Sequence, residues 1–374
     1  MSLPRFQPRM LAPIATSLLA VLAALLLGAI LLWLRDKDPI LTYRLTIERG
    51  IGTSYGLTEA AVKTAPLLLI GSGLLVALRG GVWNIGVDGQ LLIGAFLSGL
   101  ITPAVLDHAS RAIALPIGML AGIAGGAIWA AGPAILRAWF GLNEIITTLM
   151  LNYLAINFTA WLVKGPAKDG SVVAPQTRKV DVADRLPDIP GTDVHIGLLL
   201  GLIVVIAVVW LFRRGVPGFM LEVMGKNRTA AVYAGYPVRR LTAAALLVSG
   251  ALAGLAGAND VLGVQGVFKG NWNPGYGFAA FALVYLARLR PLALIPAAAF
   301  LASLTIGGEL ASRPANVPTS FVQVLEGLIL VCLAVAAALE RRFRAARKGA
   351  IAPQQPAPEV TETRMTSPAT EPGS

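Results

Sequence analysis

This chain has little charge and almost none of the residue groupings that usually mark an enzyme. Charged residues make up 14% of its 374 positions, against about 25% in a soluble domain. Its single cysteine, Cys332, lies inside an apolar run. An intrachain disulfide is therefore impossible, and a small buried hydrophobe is the simplest reading. The two histidines, His108 and His195, are far apart and have no neighbours at metal-ligand spacing, so no metal site is expected. Gly225-Lys226 lacks both the earlier glycine and the following Ser or Thr of a phosphate loop, so the chain carries no nucleotide-driven motor. No nucleophile and base stand at usable spacing, which argues against a membrane enzyme.

What the chain does have is apolar length. Hydrophobic residues form 56% of it, and runs near or above about 18 residues recur, as in an all-α polytopic membrane protein. About ten segments are expected, at 10–34, 60–78, 84–105, 112–136, 144–163, 196–212, 241–262, 276–289, 291–310 and 321–339. The eighth is short for a crossing. The net charge of +11 could suggest a nucleic-acid partner. The basic residues fall in short loops, however, which the positive-inside rule explains better. Arg213, Arg214, Lys226, Arg228, Arg239 and Arg240 share the loop 213–240 with a single acid, Glu222. Five more basic residues follow the last span, from Arg341 to Lys348. Both regions, and hence both termini, are expected in the cytoplasm. The loop 164–195, mixed in charge and rich in proline, then lies outside with the segment 35–59. The basic start Met1–Arg9 reads as the lead-in to an uncleaved first span. Residues 1–348 form one transmembrane domain, and the Pro-, Thr- and Glu-rich tail 349–374 is expected to be disordered.

Polar residues interrupt the apolar segments at several places. Between Arg79 and Phe96 glycines alternate with Asn84, Asp88 and Gln90. A broken helix with a carboxylate survives in a membrane only where protein or a water-filled cavity surrounds it. Asp88 therefore either lines a pathway or pairs with Arg79 across a turn. A second Gly/Pro interruption at 263–277 hints at an internal inverted repeat. Glu144, Thr148 and Asn152 are spaced i, i+4, i+8 and form one polar stripe on a helix. Packing glue, or a helix N-terminal acid in the case of Glu144, competes with contact to a solute. The stretch Ser249–Ala258 is small at nearly every third or fourth position, as close helix packing requires. Asn259, Asp260 and Trp272 follow it; an aromatic beside amides suits a planar ligand, and an interfacial anchor is the other reading of Trp272.

Four of these stretches carry a resemblance. Asn84-Ile-Gly-Val-Asp-Gly-Gln-Leu-Leu-Ile-Gly-Ala95 resembles the "N-I-G-x-[ED]-G-Q-x-x-I-G-A" signature of ABC importer permeases in the nucleoside and simple-sugar branch. Asn143–Tyr153 is similar to their "N-E-[VI]-I-T-T-L-M-L-N-Y", and 249–258 with 274–278 to "S-G-A-L-A-G-L-A-G-A … P-G-Y-G-F". The loop 218–235 keeps Gly225, Asn227, Ala230, Ala231, Tyr233, Ala234 and Gly235 of a fourth pattern. After Phe278 this chain has Ala279-Ala280 where the family usually has Asp-Gly, so no role of that acid carries over.

The resemblance implies a type II-like ABC importer permease fold with broken helices, in a bacterial cytoplasmic (inner) membrane. It implies a transport subunit, not an enzyme, that needs no cofactor of its own because two separate ATPase subunits use the ATP. A second homologous permease and an extracytoplasmic lipoprotein of the basic-membrane-protein class are the other implied partners. Nucleosides or purine bases are the first substrate candidates, simple sugars the next, and branched-chain amino acids more distant. Asn84, Asp88, Gln90, Glu144, Thr148, Asn152, Asn259, Asp260 and Trp272 are the pathway candidates. In the family the loop 218–235 holds a short coupling helix, so Phe219, Leu221, Met224, Gly225, Asn227, Ala231, Tyr233 and Gly235 are the candidate ATPase contacts. The competing class is an ion-coupled secondary transporter using Asp88, Glu144, Asp260, Glu309 or Glu326.

Overall fold

A computed structural model describes residues 11–351. The basic start Met1–Arg9 and nearly all of the tail 349–374 lie outside the described residues. The chain runs through α1 (Leu11–Trp33), α2 (Pro39–Gly50), α3 (Ser54–Arg79), α4 (Val87–Leu106), α5 (Arg111–Phe140), α6 (Glu144–Lys164) and α7 (Gly197–Arg214). It continues through α8 (Val216–Lys226), α9 (Arg228–Tyr233), α10 (Val238–Asp260), α11 (Tyr276–Leu286), α12 (Leu294–Ser312) and α13 (Ser320–Ile351). Among the described residues there is no β-strand, only the isolated bridges Gln176–Lys269 and Asp188–His195. Among the described residues nine helices are long and apolar enough to cross a membrane, and α11 is a shorter apolar helix. The protein is thus an all-α polytopic membrane protein.

Polar caps fix where several helices begin. The Asp38 carboxylate accepts from Ile40 N–H at 2.9 Å, Thr53 Oγ1 from Gly56 N–H at 3.0 Å, and Asn143 Oδ1 from Ile145 N–H at 2.9 Å. Each satisfies a donor that the first helical turn leaves open. Helix α2 was not foreseen, because the mixed-charge segment 35–59 shows no apolar stretch long enough to cross. It packs against α12.

Helices α3, α4 and α10 form the buried centre, and α1, α5, α6, α7 and α13 surround it with largely exposed apolar faces. The crossing of α10 on α5 and α4 depends on the small residues of 249–258. A Cβ placed at Gly254 would stand 2.9 Å from Gly126 Cα and would strike the Gly122 carbonyl. Without hydrocarbon-driven association inside a bilayer, such close backbone approach is the main source of helix–helix attraction.

The bundle has two distinct ends. At one, the long loop 165–196 is tied to the segment after α10: Thr177 N–H donates to Phe268 O at 3.0 Å, and Leu186 N–H to Leu262 O at 2.9 Å. Arg178 also clasps Asp107 just after α4, and holds that carboxyl below the usual carboxylate range. At the other end, Arg79 Nε donates to Leu289 O at 2.9 Å, and the α8–α9 loop covers the exit of α3. The short eighth segment is explained by its route. From Gly270, bonded to Pro175 O, the chain descends without helix to Tyr276, and α11 completes the crossing. Eleven helical residues span about 16 Å, roughly half of a ~30 Å hydrocarbon core.

Candidate functional site

Two chain interruptions meet inside this bundle. The first is the non-helical stretch from Gly80 to Gly86, between α3 and α4. Its backbone groups cannot be left bare in a membrane interior. Asn152 on α6 meets them from one side: its Nδ2 donates to Ile85 O and its Oδ1 accepts from Gly89 N–H, both at 2.7 Å. Thr148 Oγ1 accepts from Ile85 N–H at 3.2 Å and donates to Glu144 O at 2.6 Å. From the other side the fully buried Asn84 donates to Gln90 Oε1 at 2.7 Å and to Ser249 Oγ at 2.9 Å, and its own Oδ1 receives Gly86 N–H. Asn84, Gln90, Thr148 and Asn152 therefore direct hydrogen bonds to protein partners and fasten the break in place.

The second interruption is the descent to α11, and Asp88 joins it to the first. Its Oδ1 accepts the Gly277 N–H at 2.7 Å, one of the open donors in the first turn of α11. The pairing of Asp88 with Arg79 considered from sequence is not formed: Arg79 bonds Leu289 O and stacks its guanidinium 4.5 Å from the Phe212 ring centre. One residue earlier, the Tyr276 hydroxyl donates to Asp260 Oδ2 at 3.0 Å. Asp88 on α4 and Asp260 on α10 thus converge on the beginning of one half-length helix.

A cavity of about 410 Å³ opens beside that point, between α3, α11, α12 and α13. Lys63, Tyr276, Thr305, Glu309, Gln323 and Glu326 supply its polar lining. The Lys63 ammonium is 3.4 Å from Glu309 Oε1 and 5.3 Å above the Tyr276 ring, and Thr305 donates to the buried Glu326 at 2.7 Å. One ammonium, two carboxylates, an amide, hydroxyls and a ring face offer donors and acceptors to a solute rich in hydroxyl or N–H groups. A second cavity of about 530 Å³ lies at the basic-loop end of the same seam. Leu78 of α3, Tyr285 and Arg288 at the end of α11, and Glu340 of α13 line it. Trp83 of the first break also lines this second cavity and stacks on Phe281 of α11 at 6.2 Å.

The remaining sequence candidates lie apart from this seam. Glu144 opens α6 directly after its cap and pairs with Arg137 at 3.0 Å. Asn259 is fully buried, with His195 close by against Gly263 and Gly197. Burial pushes the His195 imidazole below its ordinary 6.5, against an opposing pull from Asp188. Trp272 packs edge-on against Phe268 at 5.9 Å in the descending segment. The residues missed from sequence are Lys63, Thr305 and Gln323. Glu309 and Glu326 had entered only under the ion-coupled alternative. The signal was present, because an ionisable side chain within an apolar helix is a functional candidate by default. Lys63 stands near the edge of its apolar run, where it reads equally well as a flanking charge.

The coupling candidates divide into two faces. Leu221, Met224 and Ala231 are buried in the permease itself, with Met224 Sδ 3.7 Å from Thr242 Oγ1. Gly225 lies against Arg79 and Gly81, where a Cβ would collide with the Arg79 carbonyl. Asn227 caps α9 through Ala230 N–H at 3.0 Å, and Gly235 ends it at a φ of 76°. Only Phe219 and Tyr233 of the eight turn a large apolar surface outward, at 59% and 88% exposure.

A helical membrane protein with two chain interruptions joined inside the bundle, one of them leading into a half-length helix, and polar cavities at both ends of one seam, is built like a solute permease. The chain belongs to the family described as the branched-chain amino acid transport system / permease component, whose model matches residues 56–334. It is 34% identical over 341 residues to the glucose ABC transporter permease protein of Haloferax volcanii, covering 88% of this chain and 89% of that one. It is 28% identical over 328 residues to the guanosine ABC transporter permease protein of Bacillus subtilis, covering 85% and 92%. A nucleoside ABC transporter permease protein of Lactococcus lactis is 27% identical over 330 residues, covering 85% and 90%. Haloferax volcanii and Bacillus subtilis each contribute a second matching permease chain as well. The protein is a multi-pass membrane permease, a transport subunit rather than an enzyme.

Proposed function

We propose that this chain is one of two permease subunits of an ATP-driven importer that carries a nucleoside or simple sugar into the cytoplasm. Supporting this are the two cavities on one α3–α11–α13 seam, the first lined by groups that match hydroxyl-rich solutes. The relatives named for glucose, guanosine and nucleosides share that chemistry, and the paired permeases in two organisms favour a heterodimer. On this reading the long-loop end faces outward and receives substrate from a binding lipoprotein. The basic-loop end faces the cytoplasm of a bacterial inner membrane, where Phe219 and Tyr233 meet an ATPase subunit. Asp88 and Asp260 hold the start of α11, and movement of that half-helix connects the outer cavity to the inner one. The relatives named for glucose, guanosine and nucleosides are all ABC transporter permeases by name, which favours ATP over an ion gradient as the driving force.

Uptake of labelled guanosine and glucose into proteoliposomes holding the complete complex tests the proposal. ATP-dependent uptake of one of them is expected. Lys63→Gln or Glu326→Gln should lower it roughly tenfold or more, the value of one charge-assisted hydrogen bond of about 1.5–3 kcal/mol. Uptake driven by an ion gradient without the ATPase overturns the mechanism. Unchanged uptake in both variants removes the outer cavity from the pathway.

A further inference from the structure

A third cavity belongs to neither end of the transport seam. It is a cleft of about 330 Å³ at the basic-loop end, between the last turn of α7 and the turn leading into α12. Arg79, Arg213 and Arg290 line it on its charged side, and Val209, Phe212 and Leu292 on its apolar side. No acid lines it. Glu222, the carboxylate that acts on Arg79, is itself paired with Lys226 at 2.9 Å. Arg79 is fixed by its bond to Leu289 O and its stacking on Phe212. Arg213 and Arg290 are exposed, and among the described residues their side chains make no hydrogen bond or ion pair.

We infer that this cleft binds the phosphate headgroup of an anionic phospholipid. All three arginines stand where membrane helices end: Arg79 closes α3, Arg213 is the penultimate residue of α7, and Arg290 follows α11. That level is the headgroup region of a bilayer, and basic pockets between span ends are suited to anionic headgroups. Guanidinium forks hold phosphate oxygens in pairs. The apolar wall decides between a lipid and a soluble anion. Leu292 is half exposed, and Trp210 beside Val209 is exposed on α7 as an interfacial aromatic would be. Acyl chains can lie along that wall while the phosphate enters among the arginines; a free phosphate would leave it bare. The inference needs the basic-loop end to face the anionic leaflet, but it does not depend on what is transported.

Native mass spectrometry of the full-length chain, released from nanodiscs of defined composition, tests it. Retention of a phosphatidylglycerol molecule is expected from nanodiscs containing it, with none retained from pure phosphatidylcholine. The variant R213Q/R290Q should bind that lipid roughly thirtyfold more weakly, from two basic residues at about fivefold each. The control R239Q/R240Q, whose arginines lie outside the cleft, should retain it. Equal retention of phosphatidylcholine refutes the site using wild-type protein alone, whatever the stability of the variants. Displacement by millimolar inorganic phosphate makes it a soluble-anion site, and unchanged retention in R213Q/R290Q places the lipid elsewhere; either outcome overturns the inference. A failure of transport with normal lipid retention would fall on the proposed function and leave this site standing.

Discussion

Replacing Asp88 separates two roles that a carboxylate in a membrane can have. Its Oδ1 accepts the Gly277 N–H at 2.7 Å, and no ion pair engages it among the described residues. The geometry makes it an acceptor that anchors the first turn of α11. Asp88→Asn keeps an acceptor oxygen and loses the charge, so a bond worth about 1.5–3 kcal/mol becomes one worth about 0.5–1.5 kcal/mol. The loss is about 1 kcal/mol, or roughly fivefold in any equilibrium that depends on α11 being seated. Asp88→Ala removes the whole bond and leaves the Gly277 donor open. Together these reach about 2–4 kcal/mol, or roughly thirtyfold and more. Membrane levels should not fall with uptake, because removing a carboxylate eases insertion. The assay is initial uptake rate normalised to purified complex in proteoliposomes, with size-exclusion profiles as the check on folding. Uptake should order as wild type, then Asn within about fivefold, then Ala at least thirtyfold down. An Asn variant as inactive as Ala would show that charge, not acceptance, is what the position supplies. An Ala variant at wild-type rate would remove the Asp88–Gly277 bond from the mechanism.

Two further expectations concern the ends of the bundle. At the basic-loop end, Tyr233→Asp and Phe219→Asp should abolish substrate-stimulated ATPase activity while leaving the melting temperature of the chain unchanged, since both side chains are exposed. Met224→Asp should instead lower the melting temperature, because Met224 is 3% exposed and an unpaired carboxylate there is buried in the permease core; the opposite pattern would move the ATPase contact to the buried face. At the long-loop end, a cysteine at Ser171 or Thr192 in a Cys332→Ala background should react with an impermeant maleimide in spheroplasts. Both positions are exposed in the loop 165–196, and labelling only after permeabilisation would invert the orientation.

The fold was readable to the extent that it depends on apolar length. Nine of the ten expected segments correspond to long helices, and the short one to α11, whose missing length is made up by the descending chain before it. Helix α2 was not readable, because a mixed-charge helix lying beside α12 shows no feature longer than its caps. The two interruptions at 80–94 and 263–277 were visible as glycine and proline against an apolar background. Their meeting through Asp88 and Gly277 was not, since a bond across 189 positions leaves no local pattern.

The site was partly legible for the same reason, and its polar residues show where single-sequence reading stops. Asn84, Gln90, Thr148 and Asn152 were singled out because polarity inside hydrocarbon needs a cause. Sequence cannot distinguish a solute from a broken backbone as that cause, because both call for amides and hydroxyls in the same places. The structure supplies the partner in each case: Asn84, Thr148 and Asn152 close on open backbone groups of Ile85, Gly86 and Gly89, and Gln90 closes on Asn84. Lys63, Glu309 and Glu326 come from three helices, with Lys63 246 positions from Glu309, so no spacing rule could group them. The loop 218–235 shows the same ambiguity for apolar residues. Phe219, Leu221, Met224 and Tyr233 look alike as anchors until α8 and α9 are seated on α3 and α10, and then only Phe219 and Tyr233 remain free to meet another subunit. A polar side chain within a span, or an apolar one in a short loop helix, therefore points first to the nearest broken or exposed backbone of its own chain. The groups left over after that accounting, here the α3–α12–α13 lining and the outward aromatics, are the ones on which the proposed substrate and ATPase contacts rest.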